Sequence, residues 1–126
     1  MTPTRRKSAQ SATQDSVFTA RVPYQAEIVN ITFYGQDDED GTFIIEHEIN
    51  MDGRYIIYEE TFNNNIDDPR VKKLLDSLAP YGITGDNLED AIGFREEITM
   101  AEVYKPSRGE SYWNIRTRTI LGPETE

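Results

Sequence analysis

The sequence has no cysteine and a single histidine, His47, among its 126 residues. Without cysteine there can be no disulfide, no thiolate zinc site and no cysteine nucleophile. No apolar run approaches the roughly 20 residues that a membrane-spanning helix needs. No apolar segment follows the basic residues near the N-terminus, so a secretory signal is not predicted. We therefore expect a cytoplasmic protein that has no membrane partner.

Motifs of the common enzyme classes are also missing. The chain has neither a glycine-rich phosphate loop nor a nucleophile elbow. His47 alternates in phase with the apolar residues of its strand, which favours a partly buried, hydrogen-bonded histidine over a catalytic one. Adjacent acids, Glu59 with Glu60 and Glu96 with Glu97, point to opposite faces of a strand and cannot share a substrate. We expect a protein that is not an enzyme and that needs no cofactor.

Hard oxygen ligands are concentrated in one acidic segment, residues 37–40. Such ligands suit Ca²⁺ or Mg²⁺. Their spacing does not match an EF-hand loop, and the closing glutamate is missing. The favoured interpretation is a solvated hairpin tip, so no metal site is predicted, and cation binding at this loop stays open.

Charge is unevenly distributed along a chain whose net charge is −10. Residues 1–22 carry four basic and one acidic side chain, and residues 23–102 carry five basic and 19 acidic ones. Residues 103–120 again carry four basic and one acidic. The acidic body opposes nonspecific adhesion to nucleic acid or to an anionic membrane. The basic C-terminal stretch is the exception.

Composition divides the chain into a tail, one domain and a short end. Residues 1–16 are rich in Thr, Ser, Gln and Arg and have no hydrophobic period, which predicts a disordered tail. Residues 122–126 predict a short acidic end. The intervening residues 17–121 have the length of a single domain.

Alternating apolar and polar residues predict five strands, at 26–34, 42–50, 54–62, 95–105 and 111–121. Between the third and fourth strands, the sequence Asp-Asp-Pro at 67–69 predicts a helix start. An apolar stripe follows at helical spacing, formed by Val71, Leu74, Leu75 and Leu78. A second, short helix is predicted to begin at Asp86.

This element order favours a mainly β fold, an OB-like five-stranded antiparallel barrel with a helix between strands 3 and 4. A small α+β sandwich contains the same elements and is the alternative.

The last predicted strand carries the chemistry that points to a ligand. Strict alternation places Tyr112, Asn114, Arg116 and Arg118 on one face, at steps of about 6–7 Å. Bases stack on aromatic rings, and arginine pairs with phosphates. These features together predict a site for single-stranded nucleic acid. Further candidates lie in the turn and on other strands. The full set of candidate residues is Arg116, Arg118, Tyr112, Tyr104, Lys105, Arg108 and Arg54.

The order of these segments resembles small OB-fold single-stranded-DNA-binding proteins of bacteriophages and mobile elements. The resemblance covers residues 24–120 and rests on three phrases: Leu74, Leu75, Leu78 and Gly82; then Leu88, Asp90, Ile92 and Gly93; then Gly109, Tyr112 and Trp113. It implies DNA replication or recombination in a bacterial host cytoplasm, with other replication or recombination proteins as partners. The acidic body departs from this expectation unless basic groups line only the groove.

Two other functions are compatible with the sequence. An acidic interaction module could mimic the charge of DNA and occupy a basic site on a partner protein. An assembly subunit could form a homo-oligomer by pairing edge strands between copies. Neither alternative requires binding to nucleic acid.

Overall fold

The structure is a computed structural model that describes residues 18–35, 41–107 and 109–123, with only the backbone of residues 105 and 110. The acidic segment 37–40, Arg108 and both predicted chain ends beyond these ranges lie outside the described residues. The strands are β1 (Tyr24–Tyr34), β2 (Thr42–Met51), β3 (Arg54–Asn63), β4 (Phe94–Lys105) and β5 (Glu110–Pro123). Helix α1 (Pro69–Leu78) and two 3₁₀ helices (Ala79–Tyr81 and Gly85–Ala91) lie between β3 and β4.

All five strands belong to one antiparallel sheet, in the order β3-β2-β1-β4-β5. The prediction of a mainly β fold, with a helix between the third and fourth strands, is confirmed. The sheet curls until its edges, β3 and β5, meet through side chains: the Tyr58 hydroxyl donates to the Trp113 carbonyl oxygen at 2.8 Å. No backbone ladder joins these edges within the described residues, so the barrel is not closed.

Helix α1 begins where its sequence signals lie. The Asp68 side chain accepts from the backbone N–H of Arg70 at 2.8 Å, and Pro69 occupies the first turn. The predicted stripe is buried at Val71, Leu74 and Leu78. The helix therefore covers one open end of the curled sheet.

The second predicted helix forms as a 3₁₀ helix with a different cap. Its N-cap is Thr84, not the predicted Asp86: the Thr84 hydroxyl accepts from the Asp86 N–H at 3.2 Å. The Asn87 side-chain oxygen accepts from the Thr84 N–H at 2.7 Å, which completes a capping box.

A β-bulge changes the faces of β5. Thr99 pairs with Thr117, but the next residue, Met100, pairs with Ile115, so Arg116 is the extra residue. A bulge sets two residues against one and reverses the alternation beyond it. The prediction that Tyr112 and Arg118 share one outward face is therefore wrong, because Arg118 points inward.

The sheet interior contains two apolar clusters. The helix-side cluster consists of Ile28, Ile31, Phe43, Ile45, Phe62, Val71, Leu74, Leu78, Ile83, Leu88, Ala91, Phe94 and Ile120. The Phe18-side cluster consists of Phe18, Ala26, Ile49, Ile56, Tyr58, Ile98, Met100 and Trp113.

One inward residue on each of four strands lies between the two apolar clusters. These residues form an ionic layer, one position per strand: His47 on β2, Glu60 on β3, Glu96 on β4 and Arg118 on β5. On β2, for example, His47 separates Ile45 of the helix-side cluster from Ile49 of the Phe18-side cluster.

Candidate functional site

A groove runs along the seam between edge strands β3 and β5, beside helix α1. It has two adjoining compartments of about 440 Å³ each, which share Glu60 and Arg70. The helix-side compartment is bounded by α1 and by Ile115 and Arg116 of β5. The ribbon-side compartment is bounded by β3 and by Tyr112 and other residues of β5. We call the two together the β3–β5 groove.

Basic side chains are concentrated at this groove. Eight Lys and Arg side chains are described: Arg21, Arg54, Arg70, Lys72, Lys73, Arg95, Arg116 and Arg118. Half of these eight line the helix-side compartment, namely Arg70, Lys73, Arg116 and Arg118. Three acids, Glu59, Glu60 and Asp76, also line the two compartments, so the groove has a net charge of +1 in a chain whose net charge is −10.

Glu60 is the centre of the groove floor, and three cationic side chains surround its carboxylate. Arg118 donates from both terminal nitrogens, Nη1 to Oε1 at 3.0 Å and Nη2 to Oε2 at 2.6 Å. His47 Nε2 lies 3.0 Å from Oε1, and Arg70 Nη2 lies 3.6 Å from Oε2. Bidentate pairing of this kind fixes the orientation of the guanidinium.

His47 lies behind Glu60 and is fully buried. Its Nδ1 contacts Oε2 of Glu96, so a carboxylate faces each ring nitrogen. Burial opposes the protonated ring, but the charge of Glu96 and the hydrogen bond to Glu60 outweigh it and raise the pKa of His47 to about 9. The imidazolium therefore persists at neutral pH and donates to both carboxylates.

The same contacts hold Glu60 ionised. Burial opposes its charge, but the hydrogen bond from His47 and the charge of Arg118 lower the pKa of Glu60 to about 2. For Arg118, burial opposes the charge, and the charge of Glu60 more than compensates, so the pKa of the guanidinium is raised. With His47 protonated, the ionic layer carries two positive and two negative charges.

The carboxylate of Glu96 has fewer cationic partners in the ionic layer than that of Glu60. Its Oε1 has no hydrogen-bond partner among the described residues, and Arg118 Nη1 lies 3.9 Å away, beyond hydrogen-bonding distance. Because a buried carboxylate oxygen without a donor is costly, the protonated His47 is the main compensation for Glu96.

Arg70 extends across the groove from α1. It donates from Nη1 to the Thr61 carbonyl oxygen at 2.9 Å, and its guanidinium lies 4.5 Å from the centre of the Phe62 ring. Its side chain is nevertheless 57% exposed. Arg70 thus presents a flat, stacked cation at the boundary between the two compartments.

The structure brings three of the sequence-predicted site residues to the groove. Arg116 is exposed in the helix-side compartment, and Tyr112 is half-buried in the ribbon-side one. Arg118 also lines the groove, but its side chain is only 13% exposed and is bound by Glu60. Its guanidinium therefore forms part of the groove wall.

Two of the other predicted residues, Tyr104 and Arg54, do not join them. Tyr104 is 62% exposed at the far end of β4 and lines neither compartment. Arg54 lines a separate cavity of about 800 Å³, next to residues 19–25 and the turn between β2 and β3. The Lys105 side chain and Arg108 lie outside the described residues.

Sequence reasoning missed the contributions of Glu60, Glu96, Arg70 and Lys73. A signal for the two acids was present, because each falls in the inward phase of its strand: Glu60 lies between Tyr58 and Phe62. Adjacent acids do point to opposite faces, but acids from different strands converge here. Arg70 and Lys73 belong to a helix face whose orientation toward β5 no local pattern reveals.

The described part of the chain contains no helix long and apolar enough to cross a membrane. It also contains no group of three or more histidine, aspartate or glutamate side chains that could hold a metal ion. Comparison with known proteins adds no relative: no family model, curated protein or solved structure matches the chain.

Proposed function

We propose that this chain is a non-catalytic single-stranded-DNA-binding protein that holds the DNA in the β3–β5 groove. Binding would combine stacking of bases with neutralisation of phosphates. The observation that supports this proposal is the concentration of Arg70, Lys73, Arg116 and Arg118 at one groove of an otherwise acidic chain. Its setting would be phage or mobile-element replication or recombination in a bacterial cytoplasm, as the resemblance implies.

The size of the groove also supports a flexible, single-stranded ligand. Each compartment, at about 440 Å³, lies in the range of roughly 300–1,000 Å³ that is typical of small-ligand sites. Such a compartment can receive a nucleotide unit of an unpaired strand. A nucleotide in double-stranded DNA could not enter the compartment without first being extruded from the base stack.

Each groove residue has a distinct role in this proposal. Arg116 and Lys73 are exposed and would contact phosphates, while Tyr112 and the Arg70 guanidinium would offer stacking surfaces. Arg118, bound by Glu60, would support the wall. Of the remaining predicted residues, the exposed Tyr104 and Arg54 would contact DNA that extends beyond the groove.

The test is fluorescence anisotropy of labelled oligo-dT at two salt concentrations. We expect the double variant Lys73→Ala plus Arg116→Ala to weaken binding by about tenfold or more. The slope of log affinity against log salt concentration should decrease in magnitude by roughly 1.4, since two phosphate contacts are lost. Lys72→Ala is the matched control, because Lys72 is exposed on the same helix but lines neither compartment. Equal affinities of the double variant and the wild type would reject the assigned groove.

A second function is favoured by the acidic body of the chain, where residues 23–102 carry 19 acidic and five basic side chains. An acidic module that mimics DNA would bind no oligo-dT and would instead be captured by a basic DNA-binding protein in a pull-down.

A further inference from the structure

The only histidine of the chain lies next to the groove without lining it. His47 is fully buried, and its Nε2 contacts Oε1 of Glu60, whose carboxylate lines both compartments. Any change in the charge of His47 therefore acts on both carboxylates that face its ring, Glu96 at Nδ1 and Glu60 at Nε2. Through Glu60 it reaches Arg118 at 2.6 Å and Arg70 at 3.6 Å.

Arg70 is the exposed groove cation that contacts the ionic layer, with its Nη2 at 3.6 Å from Oε2 of Glu60. With His47 protonated, His47 and Arg118 offset Glu60 and Glu96, and the charge of Arg70 at the rim is not needed to balance Glu60. Loss of the His47 proton would leave a net negative charge in the layer. Glu60 would then draw more strongly on Arg70 across this separation of 3.6 Å.

We propose that His47 is a positioning residue for the β3–β5 groove, whose proton keeps Glu60 from neutralising Arg70 and so sets the affinity of the groove for a phosphate polymer. This inference rests on the proposed function, because it concerns how the same groove holds DNA. His47 itself would not touch the ligand.

The groups that face His47 come from every element packed against it. Tyr58 and Glu60 face it from β3, Glu96 from β4 and Arg118 from β5, and Arg70 reaches it from α1 through Glu60. Burial raises the pKa of Tyr58, so Tyr58 stays neutral across the range of interest. The pKa of His47, raised to about 9, places the loss of its proton at moderately alkaline pH.

The test measures the affinity of labelled oligo-dA between pH 7 and 9.5, where adenine does not titrate. For the wild type we expect the affinity to fall by about three- to tenfold as the pH rises through 9, because one charge near the groove is lost. His47→Gln should bind about three- to tenfold more weakly already at pH 7. The affinity of this variant should show no further fall between pH 7 and 9.5 that comes from the ionic layer, because the variant lacks the titrating ring.

Tyr58→Phe is the matched control for a merely structural effect. It removes the hydrogen bond to the Trp113 carbonyl oxygen and lowers stability, but it leaves the charge of the layer unchanged. We expect it to keep the alkaline step of the wild type. Circular dichroism at each pH identifies the range in which every variant is folded, and the wild-type profile with this control tests the inference even if His47→Gln does not fold.

The outcomes separate the two proposals. If the wild type does not bind oligo-dA at pH 7, the proposed function fails and this inference fails with it. If the wild type binds, but its affinity is flat through pH 9 or its profile coincides with that of a folded His47→Gln variant, only the role of His47 is overturned.

Discussion

The two apolar clusters inside the sheet are closed in different ways. The helix-side cluster is covered by α1, which contributes Val71, Leu74 and Leu78 to a largely aliphatic interior. The Phe18-side cluster has no helix in the described residues; the ring of Phe18 lies at an edge-on angle to the ring of Trp113, with centroids 5.6 Å apart. The amphipathic helix α1 closes the helix-side end of the sheet interior. At the other end, the side chain of Phe18, which precedes β1, contributes to the closure.

This difference indicates how stability is distributed. Burial of an aliphatic side chain contributes about 1.5–3 kcal/mol, and α1 supplies several of them together. Phe18 belongs to a short segment outside the five strands, so opening at that end is expected to cost less free energy than global unfolding. The ionic layer lies between the two clusters and contacts the groove. A change in either cluster can therefore reach the proposed site through the ionic layer.

The largest effect is expected from breaking the ionic layer that separates the two clusters. Glu60→Ala leaves Arg118 and His47 buried without their shared carboxylate, which should cost about 4 kcal/mol. Urea unfolding at pH 7 measures this change. Glu59→Ala, at the exposed neighbouring position, should change stability by no more than about 0.5 kcal/mol. A cost below about 1 kcal/mol for Glu60→Ala would contradict the role of the layer.

The free energy of unfolding should depend on pH through two members of the ionic layer, His47 and Glu60. The pKa of His47 is raised from 6.5 to about 9, so its contribution is complete below pH 6.5 and is lost as the pH rises through 9. The pKa of Glu60 is lowered from 4.5 to about 2, so its contribution is complete above pH 4.5 and is lost as the pH falls through 2. We expect greatest stability between pH 4.5 and 6.5.

On the alkaline side the expected loss of stability is about 3 kcal/mol, at 1.36 kcal/mol for each unit of pKa difference. Urea unfolding at intervals of pH measures it. A folded His47→Gln variant serves as the control, because it lacks the titrating ring and should show little of this loss between pH 7 and 9.5. A wild-type stability that is level through pH 9 would show that the layer does not depend on the His47 proton.

The smallest effect tests the comparison of the clusters directly. Phe18→Ala should destabilise the protein by about 2 kcal/mol, below the usual range of roughly 3–5 kcal/mol for phenylalanine because its segment can open locally, and less than the roughly 3 kcal/mol expected for Leu78→Ala in the helix-side cluster. Trp113, the only tryptophan, reports on the Phe18 side. Its native-state emission should shift to longer wavelength in Phe18→Ala and stay unchanged in Leu78→Ala. A red shift in both variants would mean that the two clusters do not respond separately.

Much of the fold follows from patterns within short segments. The predicted strands agree with the observed ones to within two residues, and Asp68 caps α1 where the Asp-Asp-Pro sequence indicates. The assignment of faces failed on β5, because the extra residue Arg116 leaves no mark in a hydrophobic pattern. The cap of the second helix was misplaced by two residues, since both Thr84 and Asp86 are good capping residues.

The candidate site was predicted in part. Tyr112 and Arg116 were recognised because rings and guanidinium groups in one strand are unusual in an acidic chain. The partners that form the opposite wall, Arg70 and Lys73, were not, because their distance from β5 depends on how α1 packs. Arg54, which was also predicted, lies at another cavity.

Local patterns are enough to indicate the strands, the helix and the concentration of basic and aromatic residues in the last strand, because each depends on neighbours a few positions apart. The meeting of His47, Glu60, Glu96 and Arg118 in one layer depends instead on how the strands pair. These residues come from four strands, and whether they meet depends on strand register and on bulges that shift the register by one residue. A shift of one residue would turn each of them from the interior to the surface, so the ionic layer is a property of the pairing and not of any single segment.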